Sequence, residues 1–421
     1  MMNLRKTAAE ITGGLRFTFR ALQSRNYRFF FTGQFISLTG TWMQQIAVSW
    51  LVYRMTNSVF LLGLVGFVSQ FPTFLLSPFA GVWSDRTNKH RILVWTQCLS
   101  MLQALTLALL VLADIVAVWQ IIGLCLFMGC VNAVDVPARQ SFVIEMIEDR
   151  RDLGNAIALN SAMFNGTRFL GPFIAGILIA ACGEGICFLV NGLSYIAVIY
   201  ALFSMQIVYR KNEIKGKALL EELKEGFLYA FHDPKMRSIL LLMALTSIIG
   251  IPFIVLIPAY AKDILQGGPQ TLGFLMSSMG AGALIGAFYL ASRVNVKGLR
   301  RNIPLAVCVL GLGLIGLSIS HLLWTSLILI FLAGFGMMIQ VASSNTWLQT
   351  NVDDDKRGRM MSLFAVSFLG MAPFGSLLAG SLAARAGIGL TLLAGGICCI
   401  LGALIFRFKN YPASASNRVK R

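Results

Sequence analysis

The chain has 421 residues, of which 57% are hydrophobic and 13% charged, with 35 Lys and Arg against 18 Asp and Glu for a net charge of +17. That much apolar surface cannot be enclosed in a water-soluble core, so a bilayer is the expected solvent. The positive charge is dispersed over short connections and forms no basic domain, which excludes nucleic-acid binding as its purpose.

The first 28 residues are basic, and within ITGGLRFTFRALQSR the apolar Phe17, Phe19 and Leu22 alternate with Arg16, Arg20 and Arg25. Such a segment is expected to lie along a membrane surface. Twelve apolar stretches follow, at about 29–53, 60–82, 92–112, 115–134, 154–181, 187–208, 239–260, 272–291, 303–320, 323–347, 361–383 and 388–406. Each is close to the ~20 residues that cross a bilayer as a helix. The first is too long for a signal-peptide core and is read as a permanent span. Counting alternate connections from the N-terminus, 31 of the 35 basic residues fall in one set, three in the other, and Arg168 within a span. Basic residues resist translocation, so both termini are expected in the cytoplasm of a multi-pass cytoplasmic-membrane protein.

One long polar segment, 209–237, divides six spans from six. Within it, KALLEELKEGFLYAF repeats apolar residues at helical spacing and predicts an amphipathic cytoplasmic helix closed by Asp233-Pro234. The halves also match each other. WSDRTNKHRI after span two corresponds to ASRVNVKGLRRNI after span eight, and IEDRRDLGNA after span four to VDDDKRGRMM after span ten. Both pairs stand at nearly one offset, so a six-helix unit is duplicated. The expected architecture is all-α, with a cytoplasmic segment 1–28, six-helix bundles at 29–208 and 238–406 joined by a linker at 209–237, and a tail at 407–421. Parallel repeats of this kind suit alternating access in secondary transporters.

The loop GVWSDRTNKHR places Gly81, Asp85, Arg86, Lys89 and Arg91 between spans two and three. A glycine near a helix end permits close approach of another helix. The acid can meet a helix N-terminus, and the cations can meet carboxylates or lipid phosphate. These five residues read as a latch that forms when the halves meet on the cytoplasmic side. The second copy, Ser292, Arg293 and Lys297, lacks the acid.

This loop resembles the signature of the major facilitator superfamily. Arg25–Tyr53, the motif DVPARQSF from Asp135 and LNSAMFNGTRFLGP from Leu159 resemble its enterobactin-exporter and macrolide-efflux branch. The resemblance implies the major facilitator fold and alternating access. It also implies export of small amphiphiles, siderophore or drug-like, usually driven by protons. Gly166, Gly171, Pro172 and Gly176 in span five look like a degenerate form of the antiporter motif associated with exporters. Glycine and proline there favour close packing and a local bend. An importer of a siderophore or lysolipid on the same fold is the alternative within the class, and a non-transporting receptor or scaffold is the alternative outside it.

Arg168 is the one cation deep in a span, and Asp135 the one acid near one. An unpaired intramembrane charge costs about 2.5–3.5 kcal/mol or more. Three readings of Arg168 stand open: direct pairing with Asp135, facing a wet cavity where it favours anionic ligands, or bonding backbone carbonyls. Asp135 is also the titratable group best placed to couple protons. By resemblance, Gln34, Gln45, Asn132, Gln340 and Asn345 occupy cavity-lining helices, although such amides also serve as interhelical glue. Of eight cysteines, six lie in spans, and only Cys182 and Cys187 flank a connection where an oxidising compartment could join them. No phosphate-cradling loop, hydrolase constellation, metal spacing or cofactor motif occurs, so no enzyme is expected. The expected partners are a small amphiphile, protons and lipid, with outer-membrane or periplasmic export partners possible and a monomer favoured.

Overall fold

The computed structural model describes residues 20–147, 149–205, 233–293, 298–353 and 356–410, and side chains throughout these except Val82, Asp85, Arg86, Arg150 and Asn410. The amphipathic segment within 209–237 and Lys297 lie outside the described residues. Among the described residues there are twelve long helices: α1 Arg25–Thr56, α2 Val59–Arg86, α3 Lys89–Leu112, α4 Val118–Phe142, α5 Leu153–Cys182, α6 Glu184–Phe203, α7 Pro234–Ile264, α8 Pro269–Ala291, α9 Leu299–Ile319, α10 Leu323–Asn351, α11 Arg357–Ala386 and α12 Ile388–Asn410. Eleven of them are long and apolar enough to cross a membrane. The exception is α1, 32 residues long, whose apolar run is interrupted by Gln34, Gln44 and Gln45.

Local chemistry sets the helix ends. The Ser58 hydroxyl accepts from Leu61 N–H to cap α2, and Asn88 caps α3 through Arg91 N–H. Asp233 caps α7, with Pro234 at the first helical position, where a missing N–H costs nothing. Gly183 (φ 79°) ends α5 and Gly387 (φ 86°) ends α11, both in backbone conformations that suit glycine. Each stands 30 residues after the start of its helix, so the internal duplication extends to the caps.

Most helices run past the apolar runs by several residues, because only the hydrocarbon-facing part needs to be apolar, whereas α6 ends at Phe203, short of the expected 208. The largest extension is in α4, which continues to Phe142 and places Asp135 two turns inside the helix. Irregular backbone concentrates in the second half. In α7, π turns at Thr246–Gly250 and Tyr260–Ile264 flank a 3₁₀ stretch holding Pro252 and precede or follow Pro258; α11 has a π turn at Val366–Gly370 before Pro373. Proline crowds the carbonyl four residues back, and a wider turn relieves the crowding. By contrast, α5 remains one continuous α-helix through Pro172, so the bend expected there is not marked by any break in its helix type.

The two halves touch along two glycine seams, α5 on α8 and α2 on α11. A Cβ on Gly176 would lie 2.9 Å from Gly273 Cα, and one on Gly63 would lie 2.8 Å from Gly380 Cα. Gly63 and Gly273 each stand four residues after the start of their helix, and Gly176 and Gly380 each stand 23 after theirs. Each seam therefore pairs one member of a repeat with the mate of the other. Polar contacts reinforce the same end: the Tyr53 phenol donates to Asp263, and Lys262 Nζ donates to Asn57 Oδ1 at 2.6 Å. All of these lie toward the end remote from the two ends of the described chain. There the Arg54 guanidinium also joins α1 to α6 through Glu184 at 2.8 Å.

Candidate functional site

Beyond the seams, between the halves, lies a cavity of about 370 Å³. Its polar wall comes from the first half: Thr41, Gln44 and Gln45 of α1, Gln103 of α3, Asn132 of α4 and Arg168 of α5. Ser49, Ser69 and Gln70 extend this wall. The opposing wall belongs to α7, α8 and α11 and is formed by residues such as Pro252, Val255, Pro258, Met276 and Met279, with Ser376 its one polar member. No acidic side chain lines the cavity among the described residues, and Arg168 is its one charged group. The first half also contributes apolar residues such as Trp42, Ile46, Leu62 and Met128, so the chamber is largely apolar with its polar groups gathered on one side, an arrangement that suits an amphiphile.

Arg168 is positioned by packing at its neighbours. A Cβ on Gly171 would fall 2.5 Å from Trp42 Cβ, so the glycine lets α5 press against α1. The Arg168 guanidinium then lies 5.5 Å from the centre of the Trp42 ring, and Trp42 meets Phe164 edge-on at 5.7 Å. Arg168 Nε is buried and has no hydrogen-bond partner among the described residues. On the opposite side of the same turn, Gly280 of α8 packs against the Arg168 carbonyl and Phe169 Cα, and the Ser277 hydroxyl donates to Phe169 O at 3.1 Å. The residue that carries the cavity's charge is thus clamped at its backbone by the other half. Of the remaining span-five residues, Gly176 belongs to the seam, while Gly166 faces open space.

Asp135 does not pair with Arg168. It is buried within the first half, where Oδ1 accepts from the Thr96 hydroxyl at 2.7 Å and from Gln97 Nε2 at 2.8 Å, and Oδ2 lies 3.5 Å from Arg139. Arg139 is one turn away on the same helix, a neighbour that the shorter predicted span had hidden. A carboxylate supplied with a cation and two donors meets the cost of its burial internally.

The amides divide. Gln45 and Asn132 line the cavity; Gln34, Gln340 and Asn345 do not. Gln34 sits two turns before the cavity-lining stretch of α1 and is buried there. Gln340 donates to Thr246 Oγ1 at 2.6 Å within the second half, and Asn345 accepts from Gln349 at 2.9 Å, so both serve as interhelical or intrahelical glue. Gln44, absent from the predicted set, accepts from Asn191 and donates to Gln103, each at 2.8 Å. The signal for Gln103 and Gln97 was an amide in an otherwise apolar third span.

At the signature loop, Lys89 pairs with Glu145 at 2.8 Å and His90 Nε2 lies 2.8 Å from Leu202 O, both within the first half. Gly81 has open space around it, and Arg91 is exposed. The side chains of Asp85 and Arg86 lie outside the described residues. All eight cysteines are free, with Cys182 exposed and Cys187 buried.

A family model described as transmembrane secretion effector matches residues 17–420. The staphyloferrin A transporter of Staphylococcus aureus is 26% identical, with 91% of this chain and 96% of the relative covered. The multidrug efflux pump Tap of Mycolicibacterium fortuitum is 24% identical over 83% and 87% of the two chains. Among solved structures, an inward-facing, occupied bacterial homologue of the human lysosomal transporter Spinster aligns with a TM-score of 0.72 at 11% identity, covering 92% of this chain and 97% of that one. At that identity the likeness speaks for the fold alone.

Proposed function

The chain belongs to the transmembrane secretion effector family of major facilitator transporters, and from that premise we propose that it exports small amphiphilic molecules by alternating access. The observation that carries the proposal is the chamber between the halves, whose polar side chains all come from the first half except Ser376, with Arg168 as its single charge among the described residues. An anionic end of the substrate pairs with Arg168 beside Trp42, and the apolar remainder packs against Pro252, Met276 and Met279. Siderophore-like and drug-like molecules with an acidic group fit this description, and relatives named as a staphyloferrin A transporter and a multidrug efflux pump support it.

With both termini in the cytoplasm of a bacterial inner membrane, the seams of Gly63–Gly380 and Gly176–Gly273 lie at the extracytoplasmic end, and the state described is closed to the outside. Export requires these seams to part and the cytoplasmic ends to meet. The signature loop with Gly81, Asp85, Arg86, Lys89 and Arg91 serves as the latch in that second state. Asp135 is the coupling residue of this proposal, and its contact with Arg139 is the one that changes between the two states. The protein acts on its substrate as a monomer, with any periplasmic or outer-membrane component acting downstream.

The test is accumulation and efflux of amphiphilic acids in a strain lacking the gene, complemented with wild type or Arg168→Ala at equal membrane abundance. An exporter makes the deletion strain retain the compound, whereas an importer makes it exclude the compound. Wild-type efflux by Arg168→Ala would overturn the role of Arg168.

A further inference from the structure

A second cavity lies away from the transport path, on the outer flank of the first half. It is a groove of about 500 Å³ between the end of α2, the start of α3 and the second half of α4. Trp95, Leu99, Phe127, Val131 and Val134 form its walls, and Trp83, Thr87 and Arg91 surround its mouth. Trp95 is 69% and Trp83 51% exposed, so the groove faces outward.

Three consecutive basic residues open α3, and the structure gives them different work. Lys89 is bound to Glu145 and His90 to Leu202 O. The Arg91 side chain has no partner among the described residues and stands exposed at the groove's mouth. Arg91, Trp95 and Leu99 are four residues apart and share one face of α3. At 1.5 Å per residue, Leu99 lies about 12 Å below Arg91, roughly the first two-thirds of an acyl chain. Among the described side chains, no acidic one lines the groove. Its floor includes Thr96, the residue whose hydroxyl donates to Asp135.

We propose that this groove holds an anionic phospholipid, with its headgroup phosphate on Arg91 and one acyl chain along Trp95, Leu99 and Phe127. Two tryptophans beside a cation mark the depth of the headgroup region, where indole rings partition. An elongated apolar trough ending at a cation whose side chain has no partner among the described residues complements a chain with an anionic head. One basic residue near a charged surface contributes about 1 kcal/mol, a preference of about fivefold for an anionic over a zwitterionic lipid. An occupant also covers Thr96 from the bilayer side, next to the buried carboxylate.

The site is tested on the full chain in phosphatidylcholine nanodiscs doped with phosphatidylglycerol or phosphatidylcholine carrying brominated acyl chains, at equal mole fraction, by quenching of tryptophan fluorescence. Brominated phosphatidylglycerol should bind with about fivefold preference. Arg91→Gln should abolish that preference, Arg91→Lys should keep it, and the Trp83→Phe/Trp95→Phe double variant should remove the excess quenching. Equal quenching by the two lipids in the unaltered protein would overturn the proposal. So would an excess that survives either Arg91→Gln or the double tryptophan variant. Transport is not the readout, so the result stands apart from the export reading.

Discussion

The glycine seams make the distribution between conformations open to manipulation. Alanine at Gly176 would bring Cβ within 2.9 Å of Gly273 Cα and 3.0 Å of Pro269 O, and alanine at Gly63 within 2.6 Å of Ser376 O and 2.8 Å of Gly380 Cα. All four neighbours are backbone atoms, so none can swing aside, and each seam must widen to reach ordinary contact distances. Overpacking of this kind costs about 1–3 kcal/mol. The cost falls only on the state in which the seam is closed, so each substitution should shift the equilibrium by roughly 5- to 150-fold toward the state open at that end. The seams share no residues, and the double variant should add the two effects. Spin labels at Asp114 and His321, in the α3–α4 and α9–α10 connections of that same end, report the distance between halves in a cysteine-free background. Double electron–electron resonance should show the longer distance gaining population in both variants. Gly123→Ala, at a position with open space around its Cβ, should change nothing. An unaltered distance distribution in both seam variants would refute the reasoning.

Other outcomes follow from the polar contacts. Removing the phenol in Tyr53→Phe leaves Asp263 without that donor; a hydrogen bond to a charged group contributes about 1.5–3 kcal/mol, and the same spin-label pair should report partial opening. Gln44→Leu leaves Gln103 Oε1 and Asn191 Nδ2 without the bonds that Gln44 makes, and the melting temperature in detergent should fall by an amount corresponding to about 1–3 kcal/mol per group. Asp135→Asn keeps an acceptor for Thr96 but removes the charge facing Arg139, so proton-gradient-driven transport in proteoliposomes should be lost while substrate counterflow persists. Arg168→Ala removes a membrane-embedded cation whose insertion is costly, so loss of efflux should come with unchanged or higher thermal stability.

The sequence by itself determined the all-helical, multi-pass character of the chain, because hydropathy and basic-residue placement are one-dimensional signals read against a bilayer of fixed thickness; of the twelve spans expected, eleven correspond to described helices long and apolar enough to cross it. It also picked out Arg168 and Asp135, since charges in apolar spans stand out without any knowledge of neighbours. It could not tell which amides face the chamber. Gln34, Gln340 and Asn345 look no different in the sequence from Gln45 and Asn132, and only the packing puts the latter two, together with Gln44, on the chamber wall. Nor could it find the partner of Asp135: Arg139 lay past the end of the apolar run, where the helix continues on capping and tertiary contact. Glycines in transmembrane helices are common, and the meaning of Gly63, Gly176, Gly273 and Gly380 exists only in the meeting of two helix pairs across the halves. Hydropathy records what each residue prefers as a solvent; which residue it touches is decided by the packing of twelve helices against one another.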